Sequence, residues 1–176
     1  GVASGLSPAA VMGLSLIVFA GSAAGTATTN ASGQYTTTGL PSGTYYARTA
    51  NSQGYLNQAY ANLPCPPVGC SATSGTPIAV TLGVPTSGVD FALTAGGRIS
   101  GYVTDAAGGG PLRVQILVYD SNGAFVYSRT STSLGGYSTP ALSAGTYYVR
   151  TFNSLGYVDQ LNSGTPCPGG LCTVTT

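Results

Sequence analysis

The sequence predicts an all-β fold built as two tandem β-sandwich domains, and three observations carry that prediction. First, the chain repeats. Gly43-Thr44-Tyr45-Tyr46-Ala47-Arg48-Thr49 returns 102 positions later as Gly145-Thr146-Tyr147-Tyr148-Val149-Arg150-Thr151. The same offset carries Gly33 to Gly135, Tyr35 to Tyr137, Gly54-Tyr55 to Gly156-Tyr157, Cys65 to Cys167 and Cys70 to Cys172. A period of this length is that of a small self-contained domain, whereas solenoid and propeller units recur every ~20–50 residues. The predicted domains are residues 1–96 and 97–176. Second, Val, Ile, Leu, Tyr and Thr are interrupted every few residues by Gly, Pro, Ser or Asn, the composition of short strands and tight turns. Third, polar and apolar residues alternate through 113–120, as in a strand with one face in a core.

Taken in chain order, the first element is the apolar stretch 9–25, which carries no charge. A secretory signal or a membrane span, which needs ~17–25 apolar residues, has a similar look. The repeat argues otherwise. It places Met12, Leu14, Leu16 and Val18 on Val114, Ile116, Val118 and Asp120, and Val11, Gly13 and Ser15 on Arg113, Gln115 and Leu117. The first copy is therefore read as the same strand with a more apolar outer face, and no Lys or Arg precedes it as a signal peptide requires. An exposed apolar strand face meets another surface, so Val11, Ile17 and Phe19 are the candidate assembly face.

Further strands are predicted at 77–82, 88–93, 97–105, 113–120, 125–132, 136–139 and 146–153. Asp120-Ser121-Asn122-Gly123 supplies residues that tolerate positive φ and reads as a hairpin turn. It lacks the spaced acidic ligands and the terminal Glu of a calcium loop. Alternation through 146–150 puts Tyr147 and Val149 on the core face and Tyr148 and Arg150 on the other. About seven short strands per hundred residues suit a two-sheet sandwich.

The five basic residues are all arginine, the four acidic ones are all aspartate, and the chain has no Lys, Glu, His or Trp. At a net charge of +1 there is no basic face to displace counterions from nucleic acid or acidic lipid, so neither is an expected partner. Solubility falls to Ser and Thr hydroxyls, which in secreted proteins often carry O-linked glycans. Asn30-Ala31-Ser32 fits the acceptor pattern for N-glycosylation at Asn30, a short pattern that also arises by chance.

The four cysteines form two matched pairs, Cys65 with Cys70 and Cys167 with Cys172, each closing a loop stiffened by Pro and bent by Gly. Two local disulfides are expected, and with them an oxidising, extracellular location. A four-cysteine zinc site has the same spacing, but needs loops 102 residues apart to meet and has no His to draw on. No metal or cofactor is expected. Nor is enzymatic activity: without His, Glu or Lys, the Asp, Tyr and Cys that remain form no acid–base motif. Tyr46 with Arg48, and Tyr148 with Arg150, are candidates for stacking on sugars, or more simply a Tyr and Arg ladder on an outward sheet face.

These residues together resemble a known family. Gly101-Tyr102-Val103-Thr104-Asp105, Gly110-Pro111-Leu112, the alternating run from Val114 to Val118, Gly136-Tyr137 and Leu142-Ser143-Ala144-Gly145-Thr146-Tyr147-Tyr148-Val149 are similar to the carboxypeptidase regulatory-like repeat. That is a transthyretin-like, Ig-like sandwich, similar also to the collagen-adhesin B-type repeats of bacterial surface proteins. The first copy joins in through Gly33-Gln34-Tyr35, Leu40-Pro41-Ser42-Gly43 and Thr44-Tyr45-Tyr46. The resemblance implies an extracellular spacer, stalk or adhesive module without catalytic residues. Many adhesin-type relatives are hardened by a Lys–Asn isopeptide bond, which a chain without lysine cannot form. The disulfides and interdomain packing are expected to take over that mechanical role.

Both end domains read as incomplete: the first copy lacks most of its first strand, and the second lacks counterparts of 77–82 and 88–93. Either the chain is a window of a longer array, or its gaps are filled in trans by strand addition, giving a head-to-tail homopolymer. The expected function is thus a structural segment of an extracellular filament or surface stalk. The alternatives are a carbohydrate- or host-binding adhesin module and an accessory domain of a secreted hydrolase.

Overall fold

The structure is a computed structural model that describes residues 12–71, 73–170 and 172–174. The chain divides into two compact units, Gly1–Gly96 and Gly97–Thr176. Among the described residues the regular structure is strand throughout, save a 3-10 turn at Pro168–Gly170. No helix among them is long and apolar enough to cross a membrane. The fold is all-β.

In the first unit β1 (Ser15–Ala20) and β2 (Ser22–Thr28) form a hairpin through Gly21, whose φ of 78° is open to glycine and strained for other residues. The apolar stretch is thus strand from residue 15 on, while Val11 lies outside the described residues. β3 (Gly43–Ala50) pairs with the other edge of β1, and β4 (Gln58–Ala59) and β5 (Leu63–Pro64) extend the sheet in the order β2-β1-β3-β4-β5. β6 (Ile78–Val80) pairs with the first residues of β3. Leu16 and Val18 of β1, with Tyr45 and Ala47 of β3, turn inward against Tyr35, Leu40, Ile78, Val80, Val89 and Phe91. Leu16, only 1 % exposed, illustrates the scale, since burying such a side chain stabilises by roughly 1.5–3 kcal/mol.

The predicted strand at 88–93 is a correction. Val89 and Phe91 point into the core as alternation requires, but the segment joins no ladder. Side chains meet its backbone instead: the Tyr35 hydroxyl donates to the Val89 carbonyl, Gln58 Nε2 to the Ala92 carbonyl at 3.0 Å, and the Ala92 amide to Asn62 Oδ1 at 3.2 Å.

The second unit contains β7 (Ser100–Tyr102), β8 (Gln115–Asp120), β9 (Phe125–Thr130), β10 (Gly136–Ser138), β11 (Tyr147–Phe152), β12 (Asp159–Gln160) and β13 (Pro166–Cys167). β8 lies between β11 and β9, β7 pairs with β10, and β12 with β13, all antiparallel. The predicted 97–105 strand is shorter than expected, its flanks held by single bridges between Gly97 and Leu142 and between Thr104 and Pro111. Val114, Ile116, Val118 and Val149 form the buried core, with Tyr137 and Tyr147 packed against it half-buried. In both units a tyrosine early in the repeated Gly-Thr-Tyr-Tyr strand ties back to the preceding turn. Tyr45 donates to the Pro41 carbonyl and Tyr147 to that of Ser143, each at 3.0 Å.

The register of the first strand is a second correction. Val18 pairs with Ala47 and Val118 with Val149, so Val18 corresponds to Val118, 100 positions on, and not to Asp120. Leu14 and Val114 confirm the offset: their amides donate at 2.9 Å to Thr29 and Ser131, respectively. Both strands also carry a bulge at the same point, after Val18 and after Val118. The turn of the second hairpin is longer, its Asp120 Oδ1 accepting from the Asn122 and Ala124 amides at 2.8 and 2.9 Å. A slip of two residues leaves every side chain on its original face, whereas a slip of one turns the strand inside out.

Candidate functional site

The features that repeat beyond the core lie on the outer face of β1 and β3, and again on that of β8 and β11. Ile17 is opposite Arg48 and Phe19 opposite Tyr46; Leu117 is opposite Arg150 and Tyr119 opposite Tyr148. All eight are half-buried. The Arg48 guanidinium lies 5.4 Å from the Phe19 ring centre, and that of Arg150 lies 5.8 Å from the Tyr119 ring centre. A cation over an aromatic face is held by the ring quadrupole, and the arginine stem covers apolar surface as it crosses the strand. The Nε of each arginine is buried, with no hydrogen-bond partner among the described residues.

The cysteine loops close over these arginines. Cys65 is bonded to Cys70 and Cys167 to Cys172, with Cα atoms 4.9 Å apart in both. Arg150 Nη1 donates to the Gly170 carbonyl inside the second loop at 2.6 Å. In the first loop Gly69 stands so near Arg48 that a Cβ there would lie 3.3 Å from Nη1. Cys167 is fully buried, and Asp159, across β12–β13 from it, accepts from Asn153 Nδ2 at 2.7 Å. Asn57 does the same for Asn51 Nδ2 in the first unit, also at 2.7 Å. Each unit thus carries one assembly: an aromatic ring, an arginine laid on it and a disulfide loop beside the arginine, hydrogen-bonded to it in the second unit.

The structure therefore places the predicted residues as follows. The four cysteines form the two local disulfides, and among the described residues no cluster of metal-ligating side chains occurs. Ile17 and Phe19 share an outer face, but Arg48 covers part of it. Tyr46 and Tyr148 stand beside arginines already engaged by Phe19, Tyr119 and the loops. Asn30 is exposed, with Oδ1 accepting from the Ser32 and Gln34 amides at 2.9 and 3.0 Å, so its carboxamide holds a turn. The arginine and ring pairing escaped sequence reasoning, although an arginine recurring at one position of the repeat, diagonally across from an aromatic on the neighbouring strand, was the available signal. Desolvation, then Asp90 and Tyr60, hold the Tyr35 phenol well above its ordinary value; burial also raises that of Tyr137.

No protein-family model matches the chain, and no curated protein compared with it does either. Among solved structures it is similar to the Bacillus anthracis TIE protein, at 16 % identity and a TM-score of 0.39, over 96 % of this chain and 32 % of that one. It is similar to a streptococcal ancillary pilin at 15 % identity and 0.38, over 94 % and 56 % of the two chains. With the shaft pilin SpaA of Lactobacillus rhamnosus GG the values are 14 % and 0.37, over 95 % and 93 %. The chain thus spans about a third of the first protein and just over half of the second. Superpositions this loose carry no argument about function.

Proposed function

We propose that this chain is a structural segment of an extracellular filament or surface stalk, made of two tandem sandwich domains of the carboxypeptidase regulatory-like kind and engaged with other copies of itself. The observation that carries the reading is the repeated assembly of ring, arginine and disulfide loop. It commits the residues most able to do chemistry to holding strands together, once per unit. The acids are used in the same way: Asp105 and Asp120 accept backbone amides in turns, and Asp159 holds Asn153. A module that repeats, is clipped by sulfur and turns its polar groups inward suits transmission of load better than turnover of a substrate. Disulfides form and persist outside the reducing cytosol, which supports the extracellular location.

Immunogold labelling of intact native cells with antibodies against residues 97–176 tests the reading. Gold along surface appendages is expected. Labelling confined to the cytosol of opened cells overturns it.

A further inference from the structure

We infer that the outward face of the sheet formed by β7 and β10 in the second unit is a binding subsite for a pyranose sugar that carries a carboxylate, with Tyr102 as the stacking platform and Arg129 as the anion contact. The pairing of the two strands builds the platform. Tyr102 lies directly opposite Gly136, and Gly101 directly opposite Tyr137. Each ring lies over a residue without a side chain: a Cβ on Gly136 would stand 3.3 Å from Tyr102 Cε1, and one on Gly101 would stand 3.1 Å from the Tyr137 hydroxyl. Alternation sends the two rings to opposite faces. Tyr137 packs against the core of Val114, Ile116, Val118 and Val149, whereas Tyr102 turns outward and is 79 % exposed.

Tyr102, Ser100, Gly136 and Ser138 share this outward face, and with Arg129 and Thr132 they border an open depression of about 470 Å³. Thr132 Oγ1 accepts the Gly136 amide at 3.2 Å, which leaves its O–H to donate. Arg129 Nη1 donates to the Ser138 carbonyl at 3.3 Å, a contact that takes one of the guanidinium's donors and sets the group at the rim. In the first unit Gln34 and Thr36, 102 positions before Gly136 and Ser138, are exposed as well. Val89 and Phe91 pack there on the opposite face, against Tyr35. The outward face of this strand is therefore open even in the unit where that later segment is in place.

The make-up of the depression selects its occupant. Among the described residues it is bordered by hydroxyls, a guanidinium and the exposed ring, with no aliphatic side chain. That combination suits a ligand with a C–H face and a hydroxylated rim, which is the chemistry of a pyranose. An apolar protein surface docking there would bury the same polar groups without partners. Arg129 is the only charged residue among those that border the depression, so a carboxylate on the sugar gains a charge-assisted pair that an uncharged sugar lacks. Tyr46 and Tyr148 offer no such site, because the arginines beside them are already laid on Phe19 and Tyr119.

Saturation-transfer NMR on the full chain makes the test, with methyl β-D-glucuronide as the probe and methyl β-D-glucoside as its uncharged twin. Transfer to the glucuronide C–H protons is expected, with the glucoside bound at least about fivefold more weakly. Tyr102→Ala is expected to weaken glucuronide binding at least about tenfold, and Tyr102→Phe to keep it within about twofold. Arg129→Gln should bring the glucuronide down to the level of the glucoside. The tyrosine ring signals that vanish in Tyr102→Phe identify those of Tyr102, and they should shift when glucuronide is added to the unaltered chain, a readout that does not require the alanine variant to fold. No transfer to either sugar, equal binding of the two, or Tyr102 signals unmoved by glucuronide overturns the inference. The subsite lies within one unit and needs no second copy, so its failure leaves the filament reading standing, and a failed filament reading leaves the subsite standing.

Discussion

Breaking the bond between Cys167 and Cys172 is expected to destabilise the second unit by about 2–3 kcal/mol. The bond closes a loop with a sequence separation of 5, and at that length the loop-closure entropy removed from the unfolded chain amounts to about 2 kcal/mol. The same loop holds the Gly170 carbonyl against Arg150, a charge-assisted contact whose loss adds about 1 kcal/mol once the loop is free to swing away. For a domain of this size each kcal/mol lowers the midpoint by roughly 4–8 °C, so a fall of roughly 8–24 °C is expected. The double variant Cys167→Ala/Cys172→Ala, melted beside the parent with amide exchange in residues 115–120 and 147–152 as the local probe, makes the measurement. A midpoint within about 2 °C of the parent would refute the reasoning, because neither the entropic term nor the arginine lock could then be present.

Further outcomes follow from particular contacts. Arg150→Ala is expected to cost about 1–2 kcal/mol in denaturant melts, and Arg150→Lys to recover less than half, because an ammonium cannot lie flat on Tyr119 while reaching Gly170. Gly135→Ala is expected to cost more than about 2 kcal/mol, since φ is +75° and the new Cβ would collide with the Val103 carbonyl. Gly21→Ala, with a φ of +78° but open space around it, should cost only about 1 kcal/mol in the same assay. The phenols of Tyr35 and Tyr137 are both raised above the ordinary value near 10, so folding favours their protonated forms. That contribution is complete below pH ~10 and is lost as pH rises beyond it, where the unfolded chain gives up protons that the folded chain retains. Stability measured from pH 8 to 12 should therefore fall above about 10, and less steeply in Tyr35→Phe.

Much of this was legible in the residues. The repeat of Gly43–Thr49 in Gly145–Thr151 revealed one strand of each unit, and Cys spacing revealed the loop staples, because both are local patterns with one economical geometry. What escaped reading depended on relations between segments. The difference of two residues at the first hairpin is silent in the alternation, since an even slip keeps Leu16 and Val18 inward. Alternation at Val89 and Phe91 reported buried side chains correctly but said nothing about the backbone, which is met by Tyr35, Gln58 and Asn62 rather than by a ladder. The seat of Arg48 on Phe19 needed the strand register, and the role of Asn30 needed the turn that its Oδ1 closes. In each case the sequence carries the residue and the fold supplies the partner.

The most direct test of the central claim is cryo-electron microscopy of the protein purified from its native surface. Long fibres are expected, with strand-rich units repeating along the axis. Dispersed single particles at high concentration would contradict the account.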